Sequence, residues 1–138
     1  MRKALAYPLT VVYYLAFLTS LLVFHAIQWA CYYAFGNQAH KWSVNLLNAT
    51  LIGCLGLIGT KISFSNPHKL RNDKPHIIVC NHQSLYDIPP LIWYLRKIHP
   101  KFISKKELGR GVPSISFNLR HGGSLLIDRN KPNDALVA

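Results

Sequence analysis

The hydrophobic and polar positions divide this chain in two. From Ala4 to His40 there is no Asp, Glu, Lys or Arg, and from Trp42 to Thr60 there is none again, so Lys41 is the single such charge across residues 4–60. The first apolar run, ALAYPLTVVYYLAFLTSLLVFHAIQWACYYAF, exceeds the roughly 20 residues that a helix needs to cross a bilayer, and the second, WSVNLLNATLIGCLGLIGT, is near the lower limit. Aromatic residues gather toward the ends of the first run (Tyr7, Tyr13, Tyr14; Trp29, Tyr32, Tyr33) and Trp42 opens the second, as expected of rings at a lipid interface. The pattern predicts two apolar helices joined by a short link around Gly36 to Lys41, a hairpin that returns the chain to the side it started from. The run is too long for the apolar region of a signal peptide, although Met1, Arg2 and Lys3 would suit such a leader. A membrane hairpin is the expectation, with spanning and embedding in one leaflet both open.

The second half reads differently. After the turn-rich SNPHKLRNDKP comes HIIVC, a β-branched run that predicts a buried strand, and then the loop NHQS. DIPPLIWYLRKI predicts a helix, because Leu91, Ile92, Leu95 and Ile98 recur at helical spacing and prolines are tolerated in a first turn. KFIS predicts a second strand, KKELGRGVP a short helix or turn, SISFNLRHGG a helix stopped by its glycines, SLLIDR a third strand and NKPNDALVA the start of another helix. The expected fold class is therefore α/β: an N-terminal apolar two-helix hairpin over residues 1–62, then a truncated α/β domain with a mostly parallel sheet over residues 63–138.

Charge sharpens the division. Residues 61–138 carry thirteen Lys and Arg against five Asp and Glu, a formal charge of +8. Such a surface attracts anionic lipid heads, phosphorylated ligands or nucleic acid. The aromatics lie mainly in the apolar half rather than among the basic residues, which argues against nucleic acid. Arg2 and Lys3 before the hairpin and Lys61 after it place both flanks, and the basic half, on the cytoplasmic side by the positive-inside rule. The three cysteines are scattered without metal-ligand or disulfide spacing, so neither a metal nor a disulfide framework is expected.

Candidate chemistry sits in CNHQSLYDIPP. If Asp87 starts the helix and His82 lies in the loop before it, one ring nitrogen can meet the carboxylate while the other faces outward. A carboxylate on one nitrogen fixes the tautomer and raises the basicity of the other, which describes a general base for a substrate hydroxyl. On spacing alone a second reading stands beside it: Asp87 caps a helix, with Ser84 as a competing cap, and His82 occupies a turn. Cys80, two residues before His82, is a further candidate as a covalent nucleophile.

NHQSLYD resembles the NHxSxxD block of the glycerolipid acyltransferases, matching at Asn81, His82, Ser84 and Asp87, and the likeness is strongest to the 1-acyl-sn-glycerol-3-phosphate acyltransferases. FISKKELGR and GGSLLIDR resemble the segments that follow in that family, and the apolar hairpin is similar too. The resemblance implies transfer of an acyl group from acyl-CoA or acyl-acyl carrier protein to the hydroxyl of lysophosphatidic acid, giving phosphatidic acid, with no further cofactor. It assigns His82 as base, Asp87 as the residue that orients it, Asn81 and Ser84 as supports, and Arg129, with Lys105 or Lys106, as binders of the acceptor phosphate. A guanidinium fork suits a phosphate, whereas an ion pair with Asp128 is the plainer use of Arg129. The family's later blocks are not in this sequence, and GRGVPSISFNLR departs from its common form, which implies an N-terminal part of such an enzyme. Expected partners are membrane lipid, lysophosphatidic acid and the acyl carrier; another lysophospholipid or acylated amino-acid lipid as acceptor, or a noncatalytic lipid-binding module, are the alternatives.

Overall fold

The computed structural model describes residues 2–65, 70–71, 73–128 and 130. Helix α1 runs from Arg2 to Leu57 and is interrupted at Gly36, whose φ of 80° and ψ of −170° are non-helical. That region of backbone space is essentially reserved for glycine, since a Cβ there collides with the chain's own carbonyls. The two limbs of α1 fold back on each other at this point. Leu21 and Phe24 of the first limb pack with Leu47 and Leu51 of the second, and Tyr13 packs with Cys54 and Leu55. Residues near Gly36 on one limb meet residues near it on the other, and distant ones meet distant ones, as an antiparallel pair of limbs requires. The expected link of several residues to Lys41 is corrected: helix resumes directly after Gly36, because one glycine supplies the whole reversal.

Polar residues inside the apolar limbs find partners of two kinds. Some bond back to their own helix, as when the Asn48 Nδ2 donates to the Val44 carbonyl at 2.7 Å. Others dock the second half: the Ser114 amide donates to His25 Nδ1 at 3.0 Å and the Ser114 hydroxyl donates to Gln28 Oε1 at 2.8 Å. Ser114 is fully buried and has φ 63°, so this bond pair fixes an unusual backbone at the start of the helix Ile115–His121. The opposite face of the limbs is apolar and open: Val11, Leu15, Leu18, Leu22, Val23 and Trp29 are all exposed. Only 17% of the most apolar window is buried, far less than in the core helix of a water-soluble domain.

Beyond α1 the chain turns back along the limbs. Ile62 joins the Tyr13 cluster, and Phe64 stacks on Tyr94 at 4.7 Å, which holds helix α2 (Ile88–Tyr94) against α1. Strand β1 (Ile103–Lys105), α3 (Ile115–His121) and strand β2 (Leu125–Ile127) complete a β-α-β unit. The two strands are parallel, with Ile103 opposite Leu125 and Lys105 opposite Ile127. Between β1 and α3 a 3-10 turn, Lys106–Gly109, packs so closely on β2 that a Cβ at Gly109 would meet Leu126 Cδ1 at 2.6 Å.

The three-strand expectation is corrected to two strands among the described residues. Residues 76–80, HIIVC, form no strand, and Ile77 and Val79 are 96% and 90% exposed. Apolar β-branched residues suit a strand, but a strand exists only through a partner's backbone groups, and neither β1 nor β2 lies beside this segment. Helix α2 also ends earlier than expected, at Tyr94, with turns over 95–98. The helix expected in NKPNDALVA lies outside the described residues, apart from a turn at Asn130.

Candidate active site

Residues 80–87 form a tight polar loop just before α2. The Ser84 hydroxyl accepts from the Tyr86 amide at 3.2 Å, while the Ser84 and Gln83 amides both donate to Asp87 Oδ2, at 2.8 and 2.9 Å. Ser84 and Asp87 thus build a reciprocal cap on a 3-10 turn, Leu85–Asp87, that leads into α2. Pro89 and Pro90 cost the new helix nothing, since the first-turn amides have no internal acceptor.

The same oxygen faces His82. The Nδ1 of His82 lies 3.3 Å from Asp87 Oδ2, a long contact by hydrogen-bond standards and of the kind seen in resting catalytic pairs. With Nδ1–H directed at a carboxylate, the Nε2 lone pair is the free acceptor of the neutral ring. One carboxylate ties the loop backbone and faces the imidazole; the cap expected of Asp87 on the helix is corrected, since its side chain makes no cap hydrogen bond to α2 and closes the turn before it instead. The Ser84 and Gln83 amides, and then His82, hold the Asp87 carboxyl below the usual carboxylate range, so it stays charged at neutral pH. Half of the His82 side chain is open to solvent, which leaves room for a substrate. Tyr86 turns the other way, packing edge-on against Tyr13 at 5.9 Å and anchoring the loop to the first limb.

The other sequence candidates are placed less closely. Asn81 and Cys80 are exposed loop residues beside His82. Lys105 ends β1 opposite Ile127, and Lys106 follows it, both exposed at the carboxyl ends of the two parallel strands, where open α/β sheets bind ligands. No hydrogen bond or ion pair joins either lysine to His82 or Asp87 among the described residues. Arg129 lies outside the described residues.

Sequence reasoning passed over a second cluster. His40, Lys41, His99, Lys101 and His121 line a cavity of about 310 Å³ at the Gly36 end of the limbs. The lone charge at Lys41, next to His40 in an otherwise uncharged stretch, was the available signal.

Residues 61–138 match the family model described as Acyltransferase. That is more than half of the chain, and the chain belongs to this family, whose domain is that of the 1-acyl-sn-glycerol-3-phosphate acyltransferases. Acyl transfer is accordingly its chemistry in general terms. Comparison with curated proteins and with solved structures gave no significant match.

Proposed function

We propose that this chain takes part in acylating the free hydroxyl of lysophosphatidic acid, with His82 as general base and Asp87 as its orienting partner. The observation that carries the reading is the His82 Nδ1 to Asp87 Oδ2 contact of 3.3 Å, in a loop open to solvent. Nε2 takes the acceptor's hydroxyl proton as the oxygen attacks the thioester carbonyl. The tetrahedral intermediate collapses, the carbon–sulfur bond breaks, and the departing thiolate takes the proton from the imidazolium. Asp87 compensates the ring's transient positive charge, and general-base action of this kind supplies about 10²–10⁴-fold. Lys105 and Lys106, with Arg129 as the resemblance assigns it, are the candidates for the acceptor phosphate, supported by the position of the two lysines at the carboxyl edge of the sheet.

The exposed apolar face of α1 supports placement at a membrane, with the basic half on the cytoplasmic side. Contacts from Tyr86 at Tyr13 to His121 at Tyr32 run along 19 residues of the first limb, about 28 Å of helix and close to the thickness of a hydrocarbon core. A limb crossing the bilayer would carry those polar elements into lipid. Limbs lying along one leaflet keep them at the surface, and that is the arrangement we favour.

The test is acyl transfer by the purified chain in lipid, with acyl-CoA or acyl carrier protein as donor and a panel of lyso-acceptors. Phosphatidic acid formed from lysophosphatidic acid, and lost in His82→Ala, is the expected result. Transfer that survives His82→Ala but disappears in Cys80→Ser would instead make Cys80 an acyl carrier. A chain that binds lipid and never transfers acyl groups would be a membrane module.

A further inference from the structure

The cavity at the Gly36 end has no part in the chemistry above. Tyr13, which touches the His82 loop, and Tyr32, whose ring meets the cavity's His40 and His121, are 19 residues apart on the first limb, about 28 Å at the helical rise. No single glycerol phosphate reaches from one to the other. Three parts of the chain converge on it: His40 and Lys41 from the second limb, His99 and Lys101 from the segment before β1, and His121 from the end of α3. Among the described residues no acidic side chain lines it.

Its side chains are held in place without being satisfied. His40 is 3% exposed, lines the cavity, and its Nε2 has no hydrogen-bond partner. The ring stands edge-on to Tyr32 and Phe117, at 5.6 and 5.5 Å between centroids, so it cannot swing away to find one. His121 stacks on Phe117 at 4.2 Å and its Nδ1 donates to the Phe117 carbonyl at 3.0 Å, which leaves Nε2 free. Lys101 is anchored on the Gly122 carbonyl. His99 has φ 50° immediately before Pro100, a left-handed conformation that a proline-preceding residue rarely takes and that a fold retains where it places a side chain.

We propose that this cavity binds a phosphate-bearing anion. The polyvalent, tetrahedral charge of a phosphate suits two lysine charges joined by imidazole donors, the whole set arriving from three directions, and the volume admits a phosphate with a small substituent such as a glycerol. Among the described residues no three His, Cys, Asp or Glu side chains are grouped to hold a metal ion, so the histidines here read as donors to an anion. The unliganded cluster is electrostatically opposed. Burial, then Lys101, Lys41 and His40, push His99 down to about 4, and burial followed by Lys41 lowers Lys101. A bound anion reverses the charge repulsion and returns protons to the cluster.

The experiment uses the full chain in maltoside micelles, which carry no phosphate, with its histidine rings labelled for NMR. One arm adds inorganic phosphate against chloride at matched ionic strength; the other dopes the micelles with phosphatidylglycerol. The expected result is a saturable shift of the His99 and His121 ring signals in at least one arm. Lys41→Gln should weaken that binding about 10–100-fold, the effect of losing one charge-assisted bond. Lys97→Gln, on an exposed turn residue that does not line the cavity, should leave it unchanged, and Lys41→Arg should retain it. The Lys41 side chain makes no hydrogen bond among the described residues, so its removal spares the fold, and Lys101→Gln gives a second reading. A response confined to the lipid arm assigns the phosphate to a headgroup, and one confined to the inorganic arm assigns it to a soluble ligand; both uphold the site. No saturable shift in either arm, an equal shift with chloride, or undiminished binding in both lysine variants overturns it.

Discussion

The two histidine-bearing ends of this molecule are built on opposite electrostatics. At one end His82 is half exposed and faces the Asp87 carboxylate at 3.3 Å. At the other, His40 and His99 stand among Lys41 and Lys101, and among the described residues no carboxylate lines the space. A carboxylate beside a histidine orients its ring and can offset a charge on it, whereas cations around a buried histidine disfavour its charged form until an anion arrives. The residue type is common to both ends, and the surroundings separate a proposed base from a proposed anion site.

The sharpest way to break that contrast is Asp87→Asn. An asparagine oxygen still accepts from the Gln83 and Ser84 amides, so the loop survives while the charge facing His82 is lost. Acyl transfer should fall by about 10²–10⁴-fold, comparable to removing the base, and anion binding at the far cavity should not change. Equal activity in Asp87→Asn and the parent would reduce Asp87 to a cap.

Gly36→Ala tests the fold that brings the cavity together. Nothing lies within 4 Å of the added methyl, so the whole cost is backbone strain, about 1–3 kcal/mol read from denaturant unfolding in micelles. Because Gly36 adjoins the cavity, the His99 ring environment should shift with it while the Gln83 and Ser84 amides keep their protection. Ser114→Ala is smaller, about 1 kcal/mol. It leaves Gln28, whose Nε2 is already unpartnered, with no partner for Oε1 either, and should loosen α3 from the first limb.

The mildest perturbation is pH. His99 titrates near 4 in the folded chain against about 6.5 in an unfolded one, so the unfolded chain binds the proton more readily. Stability at the cavity end should therefore decline as pH falls from about 6.5 toward about 4. Asp87 is lowered, and its contribution is present above the ordinary carboxylate range and lost only as pH falls through its own reduced value. Amide exchange should show the cavity end loosening first and Gln83 and Ser84 holding on until stronger acid; the reverse order would contradict both assignments.

Much of the fold was legible in sequence because it is local. Apolar runs gave α1, the periodicity of Leu91 and Ile92 gave α2, and Gly122 and Gly123 marked the end of α3. The strand expected in HIIVC failed because pairing is a property of two segments, and sequence shows one at a time. Ser84 could be nominated as a cap, and it caps the 3-10 turn, whereas Asp87 closes that turn's capping box instead of capping α2; that the Asp87 oxygen also meets His82 needed the loop's actual path.

By itself, then, the sequence determined the apolar limbs, the basic second half and the His82 to Asp87 spacing, since these depend on residues near one another along the chain. Only the tertiary structure decided that His25 and Gln28 dock Ser114, and that basic residues as far apart as His40, His99 and His121 share one cavity. Charges separated by up to eighty residues interact through space at distances set by packing, and no local pattern records that distance.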